Sequence, residues 1–345
     1  MRRPTRAVPV AMLLVAALVL AACGGGDSDS NDAGGDTTTT RPEGSEPIGA
    51  GKDDPFVAQV ASYELVADQD QRFLAALVGN GTGKVVSFGS IDLEFFYLGT
   101  RTAPLDPPQV KFSTEAAFSP VAGQPSEAAT QPGPREARPS EGVGVYAADK
   151  VRFDEDGFWS VRMRATIGRQ PIQASAGFEV VAESQLPFPG QPAPRTDNPT
   201  TAAPQGVEPV AIDSRAEDGT APPDADLHAT SVAAALAQNK PTVVVVSTPV
   251  YCVSQFCGPI TDSVAKLVPT YGDKVAFVHL EVWKDFEKKV VNPAAQEWIS
   301  PKNDVGDAKE PWVFLVGGDG IVAQRFDNVV GDAALEQAVK ELAGP

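Results

Sequence analysis

Two cysteines in the C-terminal half of the chain are the residues whose type and spacing could do chemistry. Cys252 and Cys257 lie in the stretch TPVYCVSQFCGP, residues 248–259, with four residues between them. A cysteine thiolate is the nucleophile of disulfide exchange, and it is also a soft ligand for copper or zinc. The pair therefore fits three hypotheses: a redox pair, a structural disulfide or part of a metal site.

The elements on either side of the pair must position it. TVVVV (residues 242–246) is typical of a buried parallel strand, and ITDSVAKLVPTY (residues 260–271) is predicted to be a helix. A helix N-terminus lowers a thiol pKa through its unpaired N–H groups, and the cysteine stretch holds no acidic residue to oppose a thiolate. The redox hypothesis therefore makes Cys252 the nucleophile and Cys257 the resolving thiol.

Strands and helices alternate along residues 208–345, which we predict to be an α/β domain. After a first helix, SVAAALAQNK, the segments TVVVV, ITDSVAKLVPTY, KVAFVHLEVW, NPAAQEWI, PWVFLV, IVAQRF and GDAALEQAVKEL follow one another. A Gly-Gly-Asp-Gly turn predicts that the last two strands form a hairpin. The resulting order is β-α-β-α-β-β-α.

This order and two motifs resemble the thioredoxin superfamily, and more closely its secreted lipoproteins with a TPxxCxxxxCGP site. The motifs are KPTVVVVSTPVYC and EPWVFLVGGDGIVAQRF, and the resemblance covers roughly residues 226–342. It implies a cis peptide bond at Pro311, beside the cysteines. It also implies that Glu310, Trp312 and Tyr251 border a groove for a substrate strand.

The chain departs from the thioredoxin pattern in its cysteine spacing and in a missing acid. Its cysteines form CxxxxC rather than CxxC, and the buried acid of the preceding strand is missing, because Val246 stands about where that acid should be. Since the acid helps to move a proton to the resolving thiol, reductase chemistry of the thioredoxin type is in doubt. Glu281, on the next strand, could replace it, although a charge at the outer end of a strand is the more ordinary interpretation.

A metal site is the third hypothesis. Copper chaperones of the Sco type combine two nearby cysteines with a histidine on this fold, which here would join Cys252 and Cys257 to His279. The Sco pattern is CxxxC with its histidine in a later loop, whereas His279 lies in a predicted central strand, where histidines are usually hydrogen-bonded core residues. His228 is expected on the surface. Apart from this copper alternative, no cofactor is expected.

The N-terminus carries a second kind of signal. Three arginines in the first six residues precede the apolar run VPVAMLLVAALVLAA, which is the plan of a secretory signal. Leu-Ala-Ala-Cys at its end resembles the bacterial lipobox, and this implies a signal peptide over residues 1–22 and acylation of Cys23. Residues 23–54 are low-complexity and are predicted to be a disordered tether. The protein is then expected outside the cytoplasm, anchored to the membrane by Cys23, where disulfides persist.

Residues 55–185 are predicted to form a separate all-β domain. FWSVRMRATI alternates apolar and polar residues, and about six such segments predict a β-sandwich. VRFDEDGFWSVRM resembles the late strands of bacterial Ig-like domains. Residues 100–141 are predicted to be a long loop, and the Pro-rich residues 186–207 a linker to the second domain.

The sequence therefore predicts two domains, an Ig-like β-sandwich followed by a thioredoxin-like fold. A net charge of −17 without a basic stripe argues against nucleic acid as a partner. The favoured function is thiol–disulfide exchange, with thiols and disulfides of exported proteins as partners. The alternatives are a non-enzymatic binding module stapled by a structural disulfide, and a copper chaperone.

Overall fold

The structure is a computed structural model, which describes residues 55–125, 128, 130–216, 219–300 and 309–345. The predicted signal peptide, the tether and Cys23 lie outside the described residues.

Short segments rich in β-branched and aromatic residues form the strands of the N-terminal part. In chain order these strands are β1 Phe56–Val60, β2 Gln71–Gly79, β3 Val85–Ser87, β4 Ser90–Gly99, β5 Pro104–Pro120, β6 Arg135–Ala137, β7 Gly144–Val151, β8 Gly157–Ile167 and β9 Gln170–Val180. They form one antiparallel sheet in the order β6-β3-β2-β7-β5-β4-β8-β9, with β1 paired to β2. The predicted all-β character of this part agrees with the structure, while its assignment to the Ig-like class stays a prediction.

The alternation in β8 shows why this sheet has a buried face. Trp159, Val161 and Met163 are fully buried in the aromatic core of the sheet. Arg162 and Arg164 point the other way and both pair with Glu94 on β4. The alternation expected of a strand with one solvent-exposed face therefore holds from Val161 onward, while Ser160 is buried as well.

The prediction of a long loop over residues 100–141 was wrong. β5 occupies much of that segment, and β6 follows it. The prolines near its start misled the interpretation, since proline usually interrupts a strand. Pro107 and Pro108 are tolerated because this half of β5 pairs only with β4, so its other edge is open and needs no N–H donors.

The C-terminal part combines strands with helices. Its strands are β10 Thr242–Ser247, β11 Ala276–Glu281, β12 Trp283–Asp285, β13 Val290–Val291, β14 Trp312–Val316 and β15 Val322–Asp327. Its helices are α1 Val232–Ala237, α2 Cys257–Tyr271, α3 Pro293–Ile299 and α4 Asp332–Ala343. Four strands form a sheet in the order β11-β10-β14-β15, in which β10 and β11 are parallel and the other pairs antiparallel.

Apolar clusters cover both faces of this sheet, which explains the uninterrupted valines of β10. Val244 and Val246 pack with Trp298 of α3 on one face. Val243 and Val245 pack against α2 and α4 on the other. A strand covered on both faces needs no polar alternation.

The segment predicted as a linker packs along the C-terminal part. The amide of Ala193 donates to the carbonyl of Gly320, and Asn198 accepts a hydrogen bond from the amide of Val232. The indole of Trp298 donates to the hydroxyl of Thr196 at 2.9 Å. These bonds bring residues 186–207 against the helices around the four-stranded sheet, while the predicted domain boundaries stay predictions.

Apolar and polar contacts also join the two parts close to the cysteines. Leu74 and Val145 of the large sheet pack with Val329, and Phe256 of the cysteine loop packs against the same cluster. The guanidinium of Arg72 donates to the carbonyl of Val329 at 3.2 Å. The large sheet thus helps to support the loop that carries the cysteines.

Candidate functional site

Cys252 and Cys257 are joined by a disulfide, with their Cα atoms 6.0 Å apart. Cys252 lies in the loop that leaves β10, and Cys257 is the first residue of α2. The prediction that the two sulfur atoms are close enough to bond is therefore confirmed. The four intervening residues form a turn that brings the sulfurs together across the start of the helix.

The two sulfurs differ in exposure. Cys257 is completely buried, whereas Cys252 is half-buried and its neighbour Val253 is 88% exposed. The hydroxyl of Ser254 lies 3.2 Å from Cys252 Sγ, and because a disulfide sulfur carries no proton, the hydroxyl is the donor. An incoming thiol can therefore reach only one end of the disulfide directly.

A buried set of hydrogen bonds fixes α2 to the end of β10. The hydroxyl of Thr261 donates to the carbonyl of Cys257 at 2.7 Å and lies 2.7 Å from the hydroxyl of Ser247. Further along the loop, the amide of Val250 donates to the hydroxyl of Ser214 at 3.2 Å. The first helical turn is therefore held in place independently of the disulfide.

The loop before β14 supplies the carboxyl group of the site. The Glu310–Pro311 peptide bond is cis, as predicted, and Pro311 is buried. The ligand atoms of Cys252, Cys257 and Glu310 all lie within 4.8 Å of one another. We call these three residues the cysteine site.

Burial and charge both act on Glu310. Partial burial, and secondly the nearby negative charge of Glu281, raise the pKa of Glu310 to about 7. Glu281 itself is buried and accepts hydrogen bonds from the amides of Ser214 at 2.8 Å and Trp283 at 3.2 Å, and burial raises its pKa too. Glu281 is therefore held by the backbone, while Glu310 is the carboxyl next to the sulfurs.

Tyr63 reaches the cysteine site from the N-terminal part. Its hydroxyl donates to the carbonyl of Glu310 at 2.7 Å and interacts with the side chain of Ser254. Its ring lies 5.7 Å from that of Trp312, centroid to centroid. Trp312 is buried beneath these contacts, so this predicted groove residue is covered by Tyr63.

Tyr251, the remaining predicted groove residue, stacks on a neighbouring aromatic ring. The rings of Tyr251 and Phe286 are nearly parallel, with centroids 4.1 Å apart, and Trp283 packs edge-on against Phe286. Val250 and Val253 are exposed in the same loop. Exposed apolar residues therefore flank Cys252 in the loop that carries it.

His279 lies in a different group of side chains. Its ligand atom and those of Asp213 and His228 also lie within 4.8 Å of one another, and all three residues are buried. We call them the histidine cluster. Among the described residues, the groups that could hold a metal thus separate His279 from the cysteines, with which the copper hypothesis had combined it.

The expectation that His228 lies on the surface was wrong, since its exposed fraction is 1%. It ends the short 3-10 helix Ala225–His228, and its ring approaches that of His279. Its position near a helix start suggested exposure, but its Nε2 atom lies 3.2 Å from a carboxylate oxygen of Asp213. The buried carboxylate compensates for the loss of water around the ring.

The negative charge of Asp213 in the histidine cluster is paired with the guanidinium of Arg215. Arg215 bonds both carboxylate oxygens of Asp213, at 3.0 and 2.7 Å. Burial alone would raise the pKa of Asp213, but hydrogen bonds from the histidines and Arg215 lower it far below its usual value. His279 Nε2 donates to the carbonyl of Ser247 at 3.2 Å, which ties the cluster to β10. A guanidinium on both oxygens opposes a metal ion there, so the arrangement fits a structural cluster.

The cysteine site suits a metal only in its reduced form, because a disulfide sulfur offers no thiolate. Two thiolates and a carboxylate would then be the donors. Asp213 and Tyr63 were not predicted from the sequence, since both lie in irregular segments without periodicity. The position of Glu310 next to Pro311 was the one signal that placed it near the cysteines.

No family model matches the chain, and neither does any curated protein. Among solved structures, a conjugative transposon lipoprotein from Bacteroides eggerthii matches 36% of this chain and 96% of its own, at 11% identity and a TM-score of 0.17. The human F-spondin reeler domain matches 37% of this chain and 93% of its own, at 10% identity and a TM-score of 0.19. Likenesses at these TM-scores carry no argument about fold or function.

Among the described residues, no helix is long and apolar enough to span a membrane. The predicted lipidation site, Cys23, lies outside these residues.

Proposed function

We propose that this protein carries out thiol–disulfide exchange on exported proteins through a mixed disulfide on Cys252, with Cys257 as the resolving sulfur. One observation carries the proposal: the two cysteines form a disulfide at the start of α2, with one sulfur accessible and the other buried. A stable staple has no need of this asymmetry, whereas exchange requires one sulfur to meet the partner.

The surroundings of Cys252 favour a thiolate after reduction. α2 carries no acidic residue in its first turn, and its N-terminus presents the positive end of the helix dipole. The hydroxyl of Ser254 is in place to donate a hydrogen bond to Cys252 Sγ. Both effects lower the free energy of the charged sulfur, which is the form that attacks a disulfide.

The proposal includes a thioredoxin-like fold for residues 208–345. Support comes from the strand order β11-β10-β14-β15, with the cysteines between β10 and α2. Further support comes from the loop before β14, which brings Glu310 beside the sulfurs. An Ig-like class for residues 55–185 is the matching proposal for the all-β part.

The setting of the reaction follows from the N-terminal sequence. A signal peptide over residues 1–22 and a lipidated Cys23 would hold the protein at the outer face of the cell membrane. Disulfides persist in that compartment. The apolar loop surface, with Val250 and Val253 exposed, would contact the polypeptide that carries the partner thiols.

The test uses the full chain, oxidised, and a fluorescent peptide with two cysteines. We expect the peptide to be oxidised while the protein disulfide is reduced, with a rate that the Cys252→Ser variant loses. Mixed with the oxidised peptide, the Cys257→Ser variant should accumulate a mixed disulfide on Cys252, because its free thiol attacks the peptide disulfide and the resolving thiol is missing. Peptide mapping by mass spectrometry identifies the sulfur involved.

A rate that is unchanged in Cys252→Ser would sink the proposal. So would a wild-type protein that exchanges neither with the reduced peptide when oxidised nor with the oxidised peptide when reduced. In that case the binding module with a structural disulfide, the alternative from the sequence, would take its place.

A further inference from the structure

We propose that Glu310 is the acid–base residue of the cysteine site: it gives a proton to Cys257 when the disulfide opens and takes one back when it closes. The inference rests on the exchange reaction proposed above and assigns to Glu310 the role of the acid that β10 lacks.

The carboxyl group of Glu310 lies beside the disulfide. A carboxylate oxygen of Glu310 lies within 4.8 Å of both sulfur atoms. The antiparallel pairing of Trp312 with Val246 sets the loop before β14 opposite the loop that leaves β10. The backbone of Glu310 is anchored by the hydroxyl of Tyr63. The carboxyl group is thus next to the bond that breaks, on a backbone fixed from both parts of the chain.

Among the described residues, no other group competes for the carboxylate of Glu310. Within the described part of the chain, the carboxylate of Glu310 forms no ion pair and no side-chain hydrogen bond, whereas Glu281 and Asp327 both accept hydrogen bonds from backbone amides. Lys309, the adjacent cation, directs its amino group to the carbonyl of Tyr63. Glu310 is therefore the nearby carboxyl that is free to exchange its proton.

The burial of Cys257 creates the need for such a proton. Its sulfur leaves as a thiolate when the disulfide is attacked, and it lies where water does not reach. Burial without water disfavours the charged form, and the helix N-terminus compensates only in part. A neighbouring acid that protonates the leaving sulfur therefore lowers the barrier of the step.

The groups that face Glu310 set the pH range of this role. Burial and the negative charge of Glu281 raise its pKa to about 7. Tyr63 stays neutral there, since burial and the charges of Asp327 and Glu310 raise its pKa further above the ordinary value. A group that titrates near neutral pH can both give and take a proton under ordinary conditions.

In the proposed reaction, a thiolate of the partner attacks Cys252 Sγ and the bond between the two protein sulfurs breaks. The electron pair of that bond leaves on Cys257, which takes the proton of Glu310. The second partner thiol loses its proton to solvent and attacks the partner sulfur of the mixed disulfide, releasing Cys252 as a thiolate. The partner is oxidised by two electrons, the protein pair is reduced by two, and half-buried Glu310 regains its proton from solvent.

The test compares the full wild-type chain with Glu310→Gln. The rate of disulfide reduction by dithiothreitol is measured from pH 5 to 9, and the ratio of the two rates cancels the titration of the reductant. We expect the wild type to be about tenfold faster or more below pH 6, because general acids contribute at least that much. The ratio should fall to about one above pH 8, since Glu310 is then deprotonated, with a midpoint near the pKa of about 7.

Two controls separate the possible failures. Glu287→Gln, which removes an exposed carboxyl group, should leave the ratio at one throughout. If Glu310→Gln does not fold, the Glu310→Asp variant replaces it in the test. Its disulfide should be reduced more slowly than that of the wild type, and the ratio of the two rates should still depend on pH. A flat ratio, or an Asp variant with wild-type rates, overturns the role of Glu310 alone. A wild type that fails to exchange with the peptide overturns the function itself.

Discussion

The cysteine site and the histidine cluster are alike in how closely their donor atoms lie, but they differ in whether the carboxyl group is paired with a cation. Each consists of three side chains of metal-ligating type whose ligand atoms lie within 4.8 Å of one another. In the histidine cluster, Asp213 is bonded by Arg215 and His228. In the cysteine site, the carboxyl of Glu310 is beside a reducible bond and lacks a cation among the described residues.

The difference lies in whether the carboxyl group has a cationic or hydrogen-bonding partner. Pairing lowers the pKa of Asp213 far below neutral, so this group stays charged and serves as a fixed anchor. Without pairing, burial raises the pKa of Glu310 to about 7, so this group changes its charge under ordinary conditions. A close group of donor atoms thus serves stability where charges are matched, and can serve proton transfer where they are not.

The largest effect should come from removing the anchor of the histidine cluster. Asp213→Ala leaves Arg215 and two histidine rings without their shared acceptor. We expect a loss of about 3–5 kcal/mol in the free energy of unfolding, which is the usual cost of breaking one side of a buried pair. Urea denaturation measures it.

Asp262→Ala is the matched control. Asp262 pairs with the same guanidinium at 3.0 Å, but its side chain is 57% exposed. Its loss should therefore stay within about 1 kcal/mol. If both variants lost the same free energy of unfolding, the histidine cluster would contribute no more to stability than a surface ion pair.

Opening the disulfide should have a smaller effect on stability. Because only four residues separate Cys252 and Cys257, the bond constrains a short loop of the unfolded chain. Reduction should then lower the free energy of unfolding by about 2 kcal/mol. Urea denaturation with and without dithiothreitol measures this, and Cys252→Ser, which has no bond to reduce, should not respond. If reduction lowered the free energy of unfolding by more than Asp213→Ala does, the disulfide would stabilise the fold more than the histidine cluster does.

The smallest effect concerns Tyr63, which touches the cysteine site from the other part of the chain. Tyr63→Phe removes the hydrogen bond to the carbonyl of Glu310 and should cost about 1 kcal/mol of stability. It should also change the rate at which reduced Cys252 reacts with iodoacetamide, because the bond holds the neighbouring loop.

Tyr97→Phe provides the comparison for that variant. Its hydroxyl donates to the carbonyl of Asp156 at 3.0 Å, within the large sheet and away from the cysteines. We expect a similar loss of stability but an unchanged alkylation rate. If both variants alkylate like the wild type, Tyr63 is structural support and the cysteine site ends at Glu310.

Local sequence patterns were enough to predict the elements around the cysteines. The buried run of β10, the helix after it and the pair itself follow from short stretches, because strand and helix periodicity are properties of neighbouring residues. The alternation of β8 was predictable for the same reason. β5 was not, because its pairing with β4 compensates for prolines that locally argue against a strand.

Local sequence patterns could not predict which distant residues contact the cysteine site and the histidine cluster. Asp213 lies 66 residues before His279 in the numbering (279 − 213), and Tyr63 lies 247 residues from Glu310. Their contacts depend on tertiary packing, which a single sequence expresses only through weak and distributed preferences. His228 shows the same limit, since its position near a helix start suggested exposure, whereas the distant Asp213 carboxylate stabilises its buried ring.

The contact between Tyr63 and the loop of Glu310 has a consequence for the whole chain. Tyr63 precedes β2 of the large sheet, yet it interacts with the carbonyl of Glu310 and with Ser254 between the two cysteines. If these contacts differ in strength between the oxidised and reduced states, the docking of the large sheet and the redox state are thermodynamically linked. Such linkage is reciprocal. The tightness with which the sheet docks would then shift the midpoint potential of the disulfide, and the redox state would in turn set the protection of the Tyr63 segment from proteases.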